Sequence, residues 1–300
     1  MAFLSRAIAR LVPAVPKPVV GRIAARYIAG SSLDDAAHVV RRLNSEGKLA
    51  TINLLGEEIA TSDEAWAMTR GHQDVLARVQ ADALDANISV KLSGLGLELD
   101  YGLCGGNVES LLRDADGRGN FVRIDIEDAS TTERTLRLYR ELRSSGHENL
   151  GVVLQACLRR TGDDLPGLEN VRLCKGIYIE PRDISFQDDA DVRANFVRCL
   201  EALLDQGSYV GIATHDERLI EHGLRIVRER ELPAERYEFQ MLLGVRPELG
   251  DELVRDGHRL RIYVPVGARW HEYSLRRLQE NPKIAGYIAA DTLGRLRRTQ

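Results

Sequence analysis

Cysteine and histidine are scarce in this 300-residue chain, and neither occurs in a metal-binding pattern: no two cysteines form CxxC, and no histidine belongs to HExxH or to a His/Cys cluster. The four cysteines, Cys104, Cys157, Cys174 and Cys199, read as reduced thiols of a cytoplasmic enzyme, and no metal site is expected. Apolar runs long enough to span a membrane, about 20 residues, are missing too. Charge of one sign does not accumulate: 41 Lys and Arg against 45 Asp and Glu leave a net charge of -4, with no global attraction to nucleic acid. There is no GxGxxG after a strand, so a dinucleotide would not be held by a Rossmann loop. Nor is there a Ser/His/Asp set with nucleophile spacing. A chain without nucleophile or metal borrows its reactivity from an organic cofactor.

What is present is a large apolar fraction, 44%, enough for one core. It is distributed as strand-length runs alternating with helical periodicity. Strands are predicted at 50–55, 88–92, 121–126, 151–157, 171–177, 209–213, 237–241 and 260–264. Helices are predicted at 33–46, 63–84, 131–143, 188–204, 217–228 and 247–255, with no more than a turn in the short gap at 160–170. Eight β/α units in about 250 residues are the count of a closed parallel barrel of the TIM type, (βα)8. The expected division is an N-terminal helical arm over 1–46 and a catalytic barrel over 47–300. Residues 1–30 carry five basic residues and no acid around a short amphipathic pattern. Such a helix packs on its own protein or lies on an anionic membrane surface.

A barrel enzyme places its chemistry where the strands end. Those positions hold Glu57, Lys91, Asp125, Gln155, Lys175 with Tyr178, His215, Gln240 and Tyr263. Lys91, Asp125 and Lys175 fall within apolar strand-like runs, where a charge costs several kcal/mol unless partnered. They need a ligand or one another; an ion-pair network that merely plugs the barrel is the structural reading. Beyond the last strand, Pro265 and Gly267 lead into a helix predicted over 270–281. There Tyr273, Arg276, Arg277 and Glu280 share one face. Paired guanidinium groups suit a carboxylate or phosphate.

The segments Leu-Gly-Glu (55–57), Ser-Val-Lys-Leu-Ser (89–93), Arg-Ile-Asp-Ile-Glu-Asp (123–128), Val-Leu-Gln-Ala (153–156), Arg-Leu-Cys-Lys-Gly-Ile-Tyr (172–178), Ile-Ala-Thr-His-Asp (212–216), Phe-Gln-Met-Leu-Leu-Gly (239–244) and Tyr-x-x-Arg-Arg-Leu-x-Glu-Asn (273–281) together resemble the flavin-dependent proline dehydrogenases. The resemblance implies a distorted (βα)8 barrel holding FAD and oxidising L-proline to Δ1-pyrroline-5-carboxylate. Hydride would pass to the flavin and electrons on to a membrane quinone. It implies that Arg276, Arg277 and Lys91 bind the substrate carboxylate, that Tyr263 and Tyr273 wall the ring beside Leu242 or Leu243, and that Asp125 lies near the amine. Glu57 and Tyr178 would act as a gate. Arg172 and Gln155 would meet the isoalloxazine, while Lys175, Thr214, His215 and Glu280, with Gln240, would reach the rest of the cofactor. The chain departs from the family at Asn53, where Asp is frequent, and at Val266, where Tyr is common. Retention of Tyr263 favours proline over hydroxyproline. The alternatives are a relative acting on hydroxyproline or another cyclic amine, and a barrel without redox activity that binds anions.

Overall fold

The computed structural model describes residues 26–56, 59–270 and 274. Eight strands run parallel and close on themselves in chain order: β1 (Leu49–Leu54), β2 (Ala86–Val90), β3 (Val122–Ile124), β4 (Leu150–Gln155), β5 (Asn170–Cys174), β6 (Tyr209–Ala213), β7 (Tyr237–Leu242) and β8 (Leu260–Val266). The order is closed by β8 pairing with β1, where Tyr263 lies opposite Thr51. Around it stand α1 (Leu33–Ser45), α2 (Ser62–Ala81), α3 (Tyr101–Gly117), α4 (Ala129–Ser144), the single turn α5 (Thr161–Asp164), α6 (Asp189–Asp205), α7 (Glu217–Glu229) and α8 (Pro247–Arg255). The barrel predicted from the alternation is the one observed.

Side chains alternate across each strand, and here the alternation separates two environments. One set, including Ile52, Ile88, Val90, Ile124, Val152, Leu173, Ile212, Phe239 and Val264, is buried and apolar and packs under the helices. Each such side chain contributes roughly 1.5–3 kcal/mol by leaving water. The other set points inward and is mostly polar, including Thr51, Asn53, Asn87, Ser89, Arg123, Gln155, Arg172, Glu238, Gln240 and Arg261. Bulky aliphatic residues usually fill such interiors. Two inward positions are glycines. A Cβ on Gly151 would stand 2.5 Å from Arg123 Nη1, and one on Gly211 would stand 2.5 Å from Gln240 Nε2, so their absence is the space those long side chains occupy.

Helix starts follow their caps. Ser32 Oγ accepts from the Asp35 N–H, and Asp35 accepts from the Ser32 N–H in return; Thr61 and Glu64 do the same for α2. The buried face of α1, Ala36, Ala37, Val40 and Leu43, packs on β1 and β8. The groove where the barrel closes is therefore covered by a helix that precedes the first strand.

Helix α3 has no counterpart among the predicted helices. Gly102, Gly105 and Gly106 crowd its first turns, each at a cost near 1 kcal/mol relative to alanine. Tertiary burial of Cys104, Val108, Leu111, Leu112 and Ala115 outweighs that cost, and Asp100 caps the helix by accepting from the Leu103 N–H at 2.7 Å. Several strands are also shorter than predicted, so that Lys91, Asp125 and Lys175 lie just past β2, β3 and β5 rather than within them. The chain leaves β5 at Gly176, whose φ of +98° turns the backbone away from the sheet.

Candidate active site

From the C-terminal end of the barrel downward, a connected set of buried and half-buried polar groups spans the interior. Asp125 is its hub. One carboxylate oxygen accepts from Ser89 Oγ at 2.5 Å and from Arg172 Nη1 at 2.6 Å, and the other accepts from the Tyr263 hydroxyl at 2.6 Å. Arg172, on β5, also lies over the Tyr263 ring, 5.2 Å from its centroid, a cation–π arrangement. The Nε of Arg172 donates to Gln240 Oε1 at 2.5 Å, and Gln240 Nε2 donates to Glu238 at 2.6 Å. Arg261 closes the path on Glu238 at 2.7 Å. Because Arg261 and Tyr263 share β8, and Glu238 and Gln240 share β7, the path is a ring linking four strands across the barrel.

Burial alone would raise the Glu238 carboxyl, but Arg261, Tyr209 and Arg123 outweigh it and hold it below the ordinary carboxylate range. Burial, with Arg172 nearby, pushes Arg123 down to about 9, which leaves it charged at neutral pH. Arg123 Nη2 donates to Asn170 Oδ1 at 2.7 Å. The charges predicted to need partners have them. They form a structural network and a potential ligand surface together.

Lys91 is buried at the rim of this set, its Nζ 3.4 Å from Asn53 Oδ1, while the Asn53 amide donates to the Ser89 carbonyl. The departure at Asn53 thus places a neutral amide beside the ammonium. Leu242 faces Tyr263 across β7 and β8 and is 38% exposed, whereas Leu243 is 6% exposed and belongs to the core. Of the two predicted leucines, Leu242 is the one at the mouth.

A second group lies at the end of β4, on the loops after β5 and β6, and on α6. Gln155 Nε2 donates to the Glu127 carbonyl at 2.8 Å. Lys175 and Arg193 both approach Asp216, at 3.0 and 3.4 Å. Thr214 Oγ1 accepts from the Asp216 N–H, and His215 Nε2 accepts from the Leu242 N–H at 2.9 Å. Burial, then Arg246 and Lys175, lowers His215 to about 4, so the ring is neutral at physiological pH. The loop that carries Lys175 and Tyr178 is strapped down on two sides. Glu180 accepts from the Ala129 N–H at the start of α4, and Arg159 lies 4.6 Å over the Phe186 ring.

The fold thus brings Lys91, Asp125, Arg172, Gln240 and Tyr263 together, with Gln155 at the end of β4 and Lys175, Tyr178, Thr214 and His215 on adjoining loops. Glu57, Tyr273, Arg276, Arg277 and Glu280 lie outside the described residues. Glu238, Arg261 and Arg193 do not stand out in the sequence, and Ser89 and Asp216 enter only as the ends of the segments 89–93 and 212–216. The signal for Ser89 is its parity with Lys91, which lies just past β2.

A closed parallel barrel with a charged, hydrogen-bonded mouth is the architecture of the α/β-barrel enzymes, whose chemistry sits at that end. A sequence model of the family "Proline dehydrogenase" matches residues 36–289. Proline dehydrogenase 1 of Bacillus subtilis (strain 168) is 36% identical over 269 residues, covering 88% of this chain and 89% of the relative. Proline dehydrogenase of Deinococcus radiodurans is 34% identical over 284 residues, covering 90% of each. Among solved structures, proline utilization A (PutA) from Bdellovibrio bacteriovorus, inactivated by N-propargylglycine, superposes with a TM-score of 0.79 at 25% identity, over 85% of this chain and 32% of that one. The chain belongs to the proline dehydrogenase family. It is an oxidoreductase of proline catabolism with FAD as its cofactor.

The donor set fits that cofactor. A planar guanidinium (Arg172 on β5) and an amide (Gln155 at the end of β4) face the barrel interior, and Lys175, Arg193 on α6 and Thr214 gather around Asp216. At Gly176 a Cβ would collide with Cys157 Sγ and stand 3.1 Å from Gln155 Oε1. The backbone at Gly176 runs close to the end of β4, with no side chain at that residue.

Proposed function

We propose that this chain binds L-proline against the Lys91–Asp125–Tyr263 rim and that the described groups act as an orienting frame rather than as acid or base. The observation carrying this reading is that Asp125 already accepts from three donors, Ser89, Arg172 and Tyr263. A carboxylate so engaged is a fixed negative charge suited to a substrate amine. Arg276 and Arg277, with Lys91, fix the proline carboxylate, and this sets C5 of the ring in place. Tyr263 and Tyr273 wall the ring with Leu242, and the apolar contact excludes water while the amine stays unprotonated. Bound FAD supplies the two-electron acceptor. Arg172 and Gln155 meet its ring system; Lys175, Thr214, His215, Gln240 and Glu280 hold the remainder. Glu57 and Tyr178 gate the entrance.

The electrons pass to a membrane quinone. The chain is cytoplasmic and touches the membrane peripherally through its basic first 30 residues, a reading supported by their charge. Among the described residues no helix is long and apolar enough to cross a membrane. Residues 1–46 form the arm and 47–300 the catalytic barrel.

The test is Arg276→Met and Arg277→Met. Loss of one charge-assisted bidentate contact, about 1.5–3 kcal/mol, raises KM for proline roughly ten- to hundredfold with flavin content unchanged. An unchanged KM removes both arginines from the substrate. Turnover on hydroxyproline beside proline separates the two substrate readings.

A further inference from the structure

The proposed substrate and cofactor roles use the upper half of the barrel and leave a buried acid one layer below them unused. Glu238 is 1% exposed and sits on the inward face of β7, two residues before Gln240. The charged and titratable groups that face it are Arg261 on β8, Arg123 on β3 and Tyr209 on β6. Arg261 is itself fixed, because its Nη1 donates to the Ala50 carbonyl at 2.8 Å. We propose that Glu238 is a positioning residue that sets the orientation of the Gln240 amide, and through it holds Arg172 against Asp125.

Which atoms can donate and which can only accept decides the matter. A carboxylate accepts and does not donate, so the Gln240 side chain must present its NH2 group to Glu238. The Gln240 carbonyl is thereby turned toward Arg172, whose Nε donates to it at 2.5 Å. With Nε engaged, the guanidinium plane is fixed and Nη1 reaches Asp125 at 2.6 Å. If the amide flipped, an NH2 group would face a guanidinium that has only donors, and Arg172 would lose that anchor. The contact between Gln240 and Arg172 crosses β6, where Gly211, level with Arg172 and Glu238, leaves the space that a Cβ 2.5 Å from Gln240 Nε2 would take. The glycine and the glutamate therefore serve one geometry from two strands.

The inference rests on the proposed function for its kinetic consequence but not for its structural one. Two full-length, FAD-loaded variants test it. Glu238→Gln replaces a pure acceptor with a group that also donates, and so permits either amide orientation. Gly211→Ala leaves every charge in place and drives a methyl group into the Gln240 amide, the movable end of its side chain. Far-UV circular dichroism and thermal unfolding report folding. Where Glu238→Gln does not fold, Gly211→Ala decides alone. Expected in both is a shift of the visible flavin band and a fall in kcat for L-proline of about tenfold with KM within about twofold, the cost of misplacing an orienting group. In an Arg172→Met background neither substitution lowers kcat further. Folded variants with wild-type band position and kcat overturn the proposal, as does an equal fall on top of Arg172→Met. A wild-type flavoprotein that L-proline does not reduce refutes the substrate reading instead; the band shift of the variants then still decides the role of Glu238.

Discussion

Asp125 shows how one residue's role follows from its partners. With Ser89, Arg172 and Tyr263 all donating to it, removal of any one donor changes a charged hydrogen bond in a buried setting. Such bonds contribute about 1.5–3 kcal/mol. Tyr263→Phe is accordingly expected to lower kcat/KM for proline roughly ten- to hundredfold while retaining the ring wall, and steady-state kinetics at fixed flavin content check it. An unaltered kcat/KM would mean that the hydroxyl serves the fold alone.

A second residue, His72 on α2, gives a pH signature. It is buried, and burial lowers it from 6.5 to about 4, with Lys91 adding to the effect and the hydrogen bond at Met68 opposing it. The folded state therefore favours the neutral ring. Its contribution is complete above pH 6.5 and is lost as pH falls from 6.5 toward 4, because the unfolded chain binds the proton first. The slope approaches about 1.4 kcal/mol per pH unit. Urea unfolding at about pH 7 and about pH 5, on either side of the ordinary histidine range, should show a smaller loss of stability in His72→Asn than in the wild type. Equal losses would place the acid sensitivity in the carboxylates.

At the scale of elements, the strands were readable from their apolar face and their lengths were not. Lys91, Asp125 and Lys175 stood out because charges interrupt apolar runs, yet the strands end just before them, where the chain turns toward the mouth. Glu238 and Arg261 interrupt their strands in the same manner but near the opening residues, where loop polarity gives an equal account; only their side-chain contacts reveal the ring. Helix α3 stayed hidden because its glycines contradict its burial pattern. Inward glycines are equally silent in sequence and can be tested directly. Gly151→Ala sets a Cβ 2.5 Å from Arg123 Nη1 and 2.7 Å from the Phe121 ring. Overpacking of this kind costs roughly 1–3 kcal/mol, and a lower thermal midpoint with an unchanged flavin spectrum is expected. A midpoint equal to wild type would show that Arg123 has room to move.

For the whole molecule, the barrel count and the order of the motifs were enough to reach fold and family together, since the first seven motifs fall at strand ends and the strands pair in chain order. What sequence did not convey is how the interior works. It is a polar ring of side chains enclosed by an apolar shell, closed at the β8/β1 groove by a helix that precedes the barrel. On the proposed function, that ring holds a flavin and an amino acid in one geometry. The absorbance spectrum of the purified protein before and after anaerobic addition of L-proline tests this most directly. The predicted result is an oxidised flavin band that bleaches on addition of proline, and more slowly with hydroxyproline; a preparation that takes up FAD and keeps its full absorbance in excess L-proline would contradict it.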